Sequence, residues 1–77
     1  AAGCSVRGKV EHSIIFRGVT VEKGAVVKNS IVMPKSVIKE NVYLENVILD
    51  KEVFIRKGAV IKGERGHPII IGKKTVI

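Results

Sequence analysis

Residues 27–43, VKNSIVMPKSVIKENVY, decide the fold. Aliphatic residues stand at Val27, Met33 and Ile38, and the next falls at Leu44, so the steps are of five and six. An apolar helical face needs steps of three and four. Working outward, the same rhythm runs through Val10, Phe16, Val21, Leu49, Ile55 and Ile61, and three consecutive steps nearly always total 17. Residues 10–26 (VEHSIIFRGVTVEKGAV) and 44–60 (LENVILDKEVFIRKGAV) repeat the block. Residues 61–77 (IKGERGHPIIIGKKTVI) have the same length with a broken interior.

Each aliphatic trio reads as a short strand whose two ends point inward and whose middle points out. The expected inward pairs are Ile14/Phe16, Val19/Val21, Ala25/Val27, Ile31/Met33, Ser36/Ile38, Val42/Leu44, Val47/Leu49, Val53/Ile55 and Ala59/Ile61. Between them stand turn formers: Arg17-Gly18, Lys23-Gly24, Asn29-Ser30, Glu40-Asn41, Glu45-Asn46 and Lys57-Gly58. Gly and Asn accept the left-handed backbone that tight corners require. The pattern is that of an all-β, left-handed parallel β-helix built from hexapeptide repeats, about four coils of about 17 residues, with handedness taken from the repeat type. Residues 1–77 form one domain, and the Gly- and Pro-bearing segment 63–68 is a loop that interrupts the last coil.

Composition agrees. Hydrophobic residues make up 45% of the 77 residues but aromatics only 4%, and Leu occurs twice, which disfavours a helical bundle. One Cys excludes a disulfide framework and a thiolate zinc cluster. That residue, Cys4, is expected in the core, and its single unpaired thiol suits a reducing cytoplasm. No apolar run approaches the roughly 20 residues of a membrane helix, and no signal peptide is visible. Lacking an initiator Met and starting in mid-pattern, the chain is expected to be a fragment.

The middle residues of the strands form expected outward columns: Ile15/Val32/Ile48, Thr20/Val37/Phe54 and Val26/Tyr43/Val60. Apolar columns on every face point to packing on another domain or subunit, with Phe54 and Tyr43 as anchors. The net charge of +7 favours anionic partners, although the basic residues come one at a time. No nucleic-acid motif and no aromatic platform accompany them, so neither nucleic acid nor a membrane is an expected partner. Catalytic signals are thin. Ser13, His12 and Glu11 are sequence neighbours and cannot form a triad, His67 stands alone before Pro68, and neither metal-ligand spacing nor a phosphate loop occurs. No catalytic, cofactor-binding or metal residue is expected.

The strings Val10-Glu11-His12-Ser13-Ile14-Ile15-Phe16-Arg17-Gly18-Val19, Val27-Lys28-Asn29-Ser30-Ile31-Val32-Met33-Pro34 and Leu44-Glu45-Asn46-Val47-Ile48-Leu49-Asp50-Lys51 resemble the C-terminal domain of bacterial glucose-1-phosphate adenylyltransferases. The details look closest to the regulatory, glgD type of subunit. The resemblance implies a cytoplasmic parent that makes ADP-glucose and pyrophosphate from ATP and glucose 1-phosphate for glycogen synthesis. Its catalysis, with magnesium, would lie in an N-terminal domain absent here. It implies as partners that N-terminal domain, further copies or a catalytic subunit, and a sugar-phosphate effector contacted by Lys73 and Lys74. The alternatives are a coenzyme A-dependent hexapeptide acyltransferase, with His12 as its catalytic residue, the β-helix of another sugar-nucleotide pyrophosphorylase, and a purely structural assembly domain.

Overall fold

The computed structural model describes residues 5–77; Cys4, expected in the core, lies outside them. Among the described residues, twelve short strands follow one another with no helix between. They are β1 (Ser5–Val6), β2 (Lys9–Glu11), β3 (Ile14–Ile15), β4 (Thr20–Val21), β5 (Val26–Lys28) and β6 (Ile31–Val32). Then come β7 (Val37–Ile38), β8 (Tyr43–Glu45), β9 (Val47–Leu49), β10 (Phe54–Ile55), β11 (Val60–Lys62) and β12 (Ile69–Ile71).

Every third strand joins the same sheet. Sheet A is ordered β1-β4-β7-β10, sheet B β2-β5-β8-β11 and sheet C β3-β6-β9-β12, and the paired strands are parallel. The three sheets are the sides of a prism, so the chain is a parallel β-helix of the hexapeptide-repeat type. Between β2 and β10 the register is 17 residues per coil: Val10 pairs with Val27, Val27 with Leu44, and Val21 with Ile38. The chain completes three coils, β2–β4, β5–β7 and β8–β10. The expected fourth is partial, because residues 63–68 leave the wall and sheet A is closed there by a single bridge, Phe54 to Val76.

The core is a stack of aliphatic layers. Val21, Ile38 and Ile55 line sheet A, Val27 and Leu44 sheet B, and Val32 and Leu49 sheet C, all at 0% exposure. Val10, Ile15, Ala59 and Ile61 pack on them toward the ends. Burying one such side chain contributes about 1.5–3 kcal/mol.

Sheet C departs from the expected facing. Ile14/Phe16 and Ile31/Met33 are not its inward pairs: Ile14 is 57% and Phe16 39% exposed. The inward residues are Ser13 and Ile15 in the first coil and Ser30 and Val32 in the second, with Ile15 opposite Val32 and Val32 opposite Leu49. The corner between sheets B and C takes five residues per coil, whereas the reading through Phe16 and Met33 assumed six. A one-residue slip turns every side chain to the other face. The inward anchors Val10, Ile15, Val21, Val27, Val32, Ile38, Leu44, Leu49 and Ile55 then recur at five, six and six without exception.

The corners have their own registers. Left-handed φ angles occur at His12, Asn29 and Asn46 between sheets B and C, and at Gly24, Asn41 and Gly58 between A and B. Between C and A they occur at Gly18, Lys35, Glu52 and Lys74. For a residue other than Gly the conformation costs about 1–2 kcal/mol, least for Asn and His among side chains. Each such corner is tied to its neighbour: the Asn29 amide donates to the Glu11 carbonyl at 3.0 Å and the Asn46 amide to the Lys28 carbonyl at 3.0 Å.

Buried serines satisfy what the ladders leave inside. The Ser30 hydroxyl donates to the Lys28 carbonyl at 2.8 Å and accepts from the Val47 amide at 3.2 Å. The Ser36 hydroxyl donates to the Asp50 carbonyl at 2.9 Å and accepts from the Val53 amide at 3.2 Å. The equivalent positions of other coils hold valines, Val47 for Ser30 and Val19 and Val53 for Ser36, all buried.

Candidate functional site

With the core defined, the three outer faces differ in chemistry. On sheet B, Glu11, Lys28, Glu45 and Lys62 stack in one column of alternating sign. Lys28 and Lys9 reach Glu11 at 3.8 and 3.6 Å. Beside that column lie Val26, Tyr43 and Val60. The Tyr43 hydroxyl donates to Glu45 Oε1 at 2.8 Å, and the Lys28 and Lys62 ammonium groups sit 5.8 and 5.3 Å from its ring centroid. The hydrogen bond to the Glu45 carboxylate, then desolvation and that carboxylate's charge, raise the phenol above its ordinary pKa. Tyr43 is therefore engaged within its own face.

Sheet A presents Thr20, Val37, Phe54 and Val76 in one row, with Phe54 38% exposed. Sheet C presents a continuous isoleucine ladder, Ile14, Ile31, Ile48 and Ile70, with Phe16 and Met33 beside it. Ile14 and Ile70, at 57% and 71%, are its most exposed members.

Of the residues expected on outward columns, Val26, Val37, Tyr43, Ile48, Phe54 and Val60 stand on outer faces. Ile15 and Val32 do not: Val32 is in the core and Ile15 packs against it, for the register reason given above. The reading through Phe16 therefore missed Ile14, Ile31, Phe16 and Met33 as surface. The signal that finds them is the demand that the repeat be 17 everywhere, since Leu49, correctly placed inward, lies 17 after Val32.

The chemically reactive residues stay apart. His12 occupies a corner in left-handed conformation. The neighbouring Ser13 hydroxyl is committed, donating to the Glu11 carbonyl at 2.8 Å and accepting from the Ser30 amide at 3.0 Å. His67 lies on a hairpin in which the Glu64 and His67 amides each donate to the other's carbonyl, at 3.3 and 2.9 Å. Asn46 holds the neck of this hairpin. Its Nδ2 donates to the Gly63 carbonyl at 3.3 Å and its own carbonyl accepts from the Ile69 amide at 3.1 Å. Gly63 has no room for a Cβ there, which would collide with that same Asn46 carbonyl oxygen. Among the described residues no enclosed pocket exists, and no group of His, Cys, Asp and Glu is placed to hold a metal. Among the described residues there is no set of side chains for the magnesium that the resemblance implies. No helix of the described residues is long and apolar enough to cross a membrane. Lys73 and Lys74 are exposed on the corner between sheets C and A, where the Lys74 amide donates to the Lys51 carbonyl at 3.0 Å.

Coil, corner and core together define a hexapeptide-repeat β-helix domain. The chain belongs to the GlmU-like, C-terminal hexapeptide family, whose model matches residues 1–67. It is also similar to the glucose-1-phosphate adenylyltransferases of Bacillus thuringiensis (strain Al Hakam), Bacillus mycoides (strain KBAB4) and Bacillus anthracis. Each is 44% identical over 63 residues, covering 82% of this chain. The chain spans only 17% of the length of these relatives. No solved structure gives a significant match.

Proposed function

We propose that this chain is the C-terminal β-helix of a glucose-1-phosphate adenylyltransferase, serving as an assembly and regulatory domain rather than as the catalytic one. The observation that carries the reading is the 44% identity over 82% of the chain to enzymes of that name. The parent would join the adenylyl group of ATP to glucose 1-phosphate and release pyrophosphate, using residues outside these 77. A cytoplasmic place in glycogen synthesis, and membership of the regulatory type of subunit, belong to the same reading.

The isoleucine ladder of sheet C is the surface by which the domain packs on the rest of the enzyme. A match covering only 17% of the relatives' length leaves a large body of polypeptide to be held. Sheet B, whose charges are paired and whose tyrosine is engaged, is the less suitable face. Lys73 and Lys74 are the proposed contacts for a sugar-phosphate effector. The test is the full-length protein assayed for ADP-glucose from ATP and glucose 1-phosphate, alone and with a catalytic subunit. Formation of ADP-glucose, or a changed effector response of the partner, supports the reading. Neither result, with acetyl-coenzyme A consumed instead, replaces it with an acyltransferase. Ala at positions 73 and 74 should weaken the effector response severalfold, and an unchanged response removes the effector role.

A further inference from the structure

On sheet B one column is charged in every coil and changes sign at every step. Glu11, Lys28, Glu45 and Lys62 stand one coil apart in direct register. A second outward row, Lys9, Val26, Tyr43 and Val60, runs beside them. Within the column Glu11 and Lys28 meet at 3.8 Å, while Glu45 and Lys62 enter no ion pair among the described residues. Val60 is 63% exposed, and among the large apolar residues described only Ile70 is more so.

Four alternating charges have a property that three lack. Turned end over end, the column becomes its own complement. Consider a second copy laid on sheet B with its prism axis reversed, about a two-fold axis that runs along the strands between β5 and β8. Glu11 then faces Lys62 of the second copy, Lys28 faces its Glu45, and the symmetry repeats both pairs. Strand spacing is about 4.8 Å in both copies, so all four pairs form together. The same rotation lays row on row. Val26 meets Tyr43 of the second copy, and the Lys9 stem covers its exposed Val60.

Other arrangements fail on charge. A slip of one coil sets Lys28 on Lys62 and Glu45 on Glu45. A two-fold axis along the prism lays the charged column on the apolar row. Other charged columns do not reverse into complements. Lys23, Glu40 and Lys57 would set Lys on Lys, and Arg7, Glu22, Lys39 and Arg56 would set Arg on Arg at both ends. The isoleucine ladder of sheet C carries no charge to fix an orientation. The chain exposes 4780 Å², shared by three sides and two ends, so one side is comparable with the roughly 800 Å² that each partner gives to a standard interface. We propose that sheet B is the face by which two copies of this chain pair antiparallel, in the register that sets Lys28 against Glu45. The pairing names a partner for the assembly role proposed above and leaves sheet C to the rest of the enzyme.

Light scattering of the full-length protein over a concentration and salt series tests it. Lys28→Glu sets like charges against Glu45 of the second copy, and Glu45→Lys does so against Lys28. Each should raise the dissociation constant of pairing at least about tenfold, and added salt should weaken pairing of the unsubstituted protein. Combined in one chain, or mixed as two separate chains, the two reversals again place opposite charges across the interface, and pairing should return. The combined chain still holds two like-charged neighbouring pairs within its own column, as many as either single variant. Its melting temperature should therefore not recover with its pairing. Unchanged mass in either single variant overturns the proposal. So does a failure of both the combined chain and the mixture to reassociate, which would confine these charges to stacking coils within one chain. Formation of ADP-glucose is scored separately, so a failure of pairing and a failure of the adenylyltransferase reading are distinct results.

Discussion

Ser30 shows how single side chains hold this wall closed. It is 2% exposed, and its hydroxyl serves the Val47 amide above and the Lys28 carbonyl beside it. Ser30→Ala would leave the Val47 N–H buried without a partner, a loss of about 1–3 kcal/mol that a lowered urea midpoint would report. Ser36→Ala should behave alike through the Val53 amide. Tyr43 makes a pH-dependent contribution. Its phenol is raised by the bond to Glu45, so the folded state favours the protonated form. That stability is complete below the phenol's ordinary pKa of about 10 and is lost as pH rises through the higher folded value. Tyr43→Phe should flatten the decline of melting temperature between neutral and strongly alkaline pH. An unchanged decline would show that the bond contributes nothing.

At the scale of elements, the informative piece is the excursion after β11. Five residues separate Leu44 from Leu49, but ten separate Ile61 from the equivalent Ile71. Deleting residues 64–68 joins Gly63 to Ile69 and recreates the pattern of Asn46 followed by Val47, with Gly at the position that must turn left-handed. The shortened protein should keep its fold and melt at or above the temperature of the parent, because a loop is removed from a corner that the other coils close without one. A large fall would mean that the hairpin supports the last coil. The Glu11, Lys28, Glu45 and Lys62 column acts differently: its alternation favours the observed stacking, since a slip of one coil would place like charges opposite.

For the whole molecule, the question is which surface is spare. Val32 and Ile14 are both apolar residues of sheet C, one at 0% and the other at 57% exposure. Val32→Asp buries a charge with no partner and should unfold the domain. Ile14→Lys should stay within about 0.5 kcal/mol of the unsubstituted domain in stability, while Ile14→Lys combined with Ile48→Lys should, if sheet C is the packing surface proposed above, loosen that packing. Limited proteolysis and light scattering of the full-length protein separate these outcomes. Retained assembly with both lysines present would move the packing surface to the Phe54 face of sheet A.

The sequence by itself determined that the chain coils, how many residues make a coil and most of the core. Val19, Val21, Ala25, Val27, Ser36, Ile38, Val42, Leu44, Val47, Leu49, Val53 and Ile55 were legible as inward because the two-residue alternation of a strand is written directly in residue type. Where Ile14, Ile15 and Phe16 stand together, or Ile31, Val32 and Met33, residue type no longer tells inside from outside. The choice then passed to the corner at His12 and Asn29, whose five-residue step is a property of backbone geometry. The isoleucine ladder of sheet C lay further from view. Ile14, Ile31, Ile48 and Ile70 are dispersed along the chain. Only the stacking of coils brings residues one repeat apart to within about 4.8 Å, the spacing of hydrogen-bonded strands.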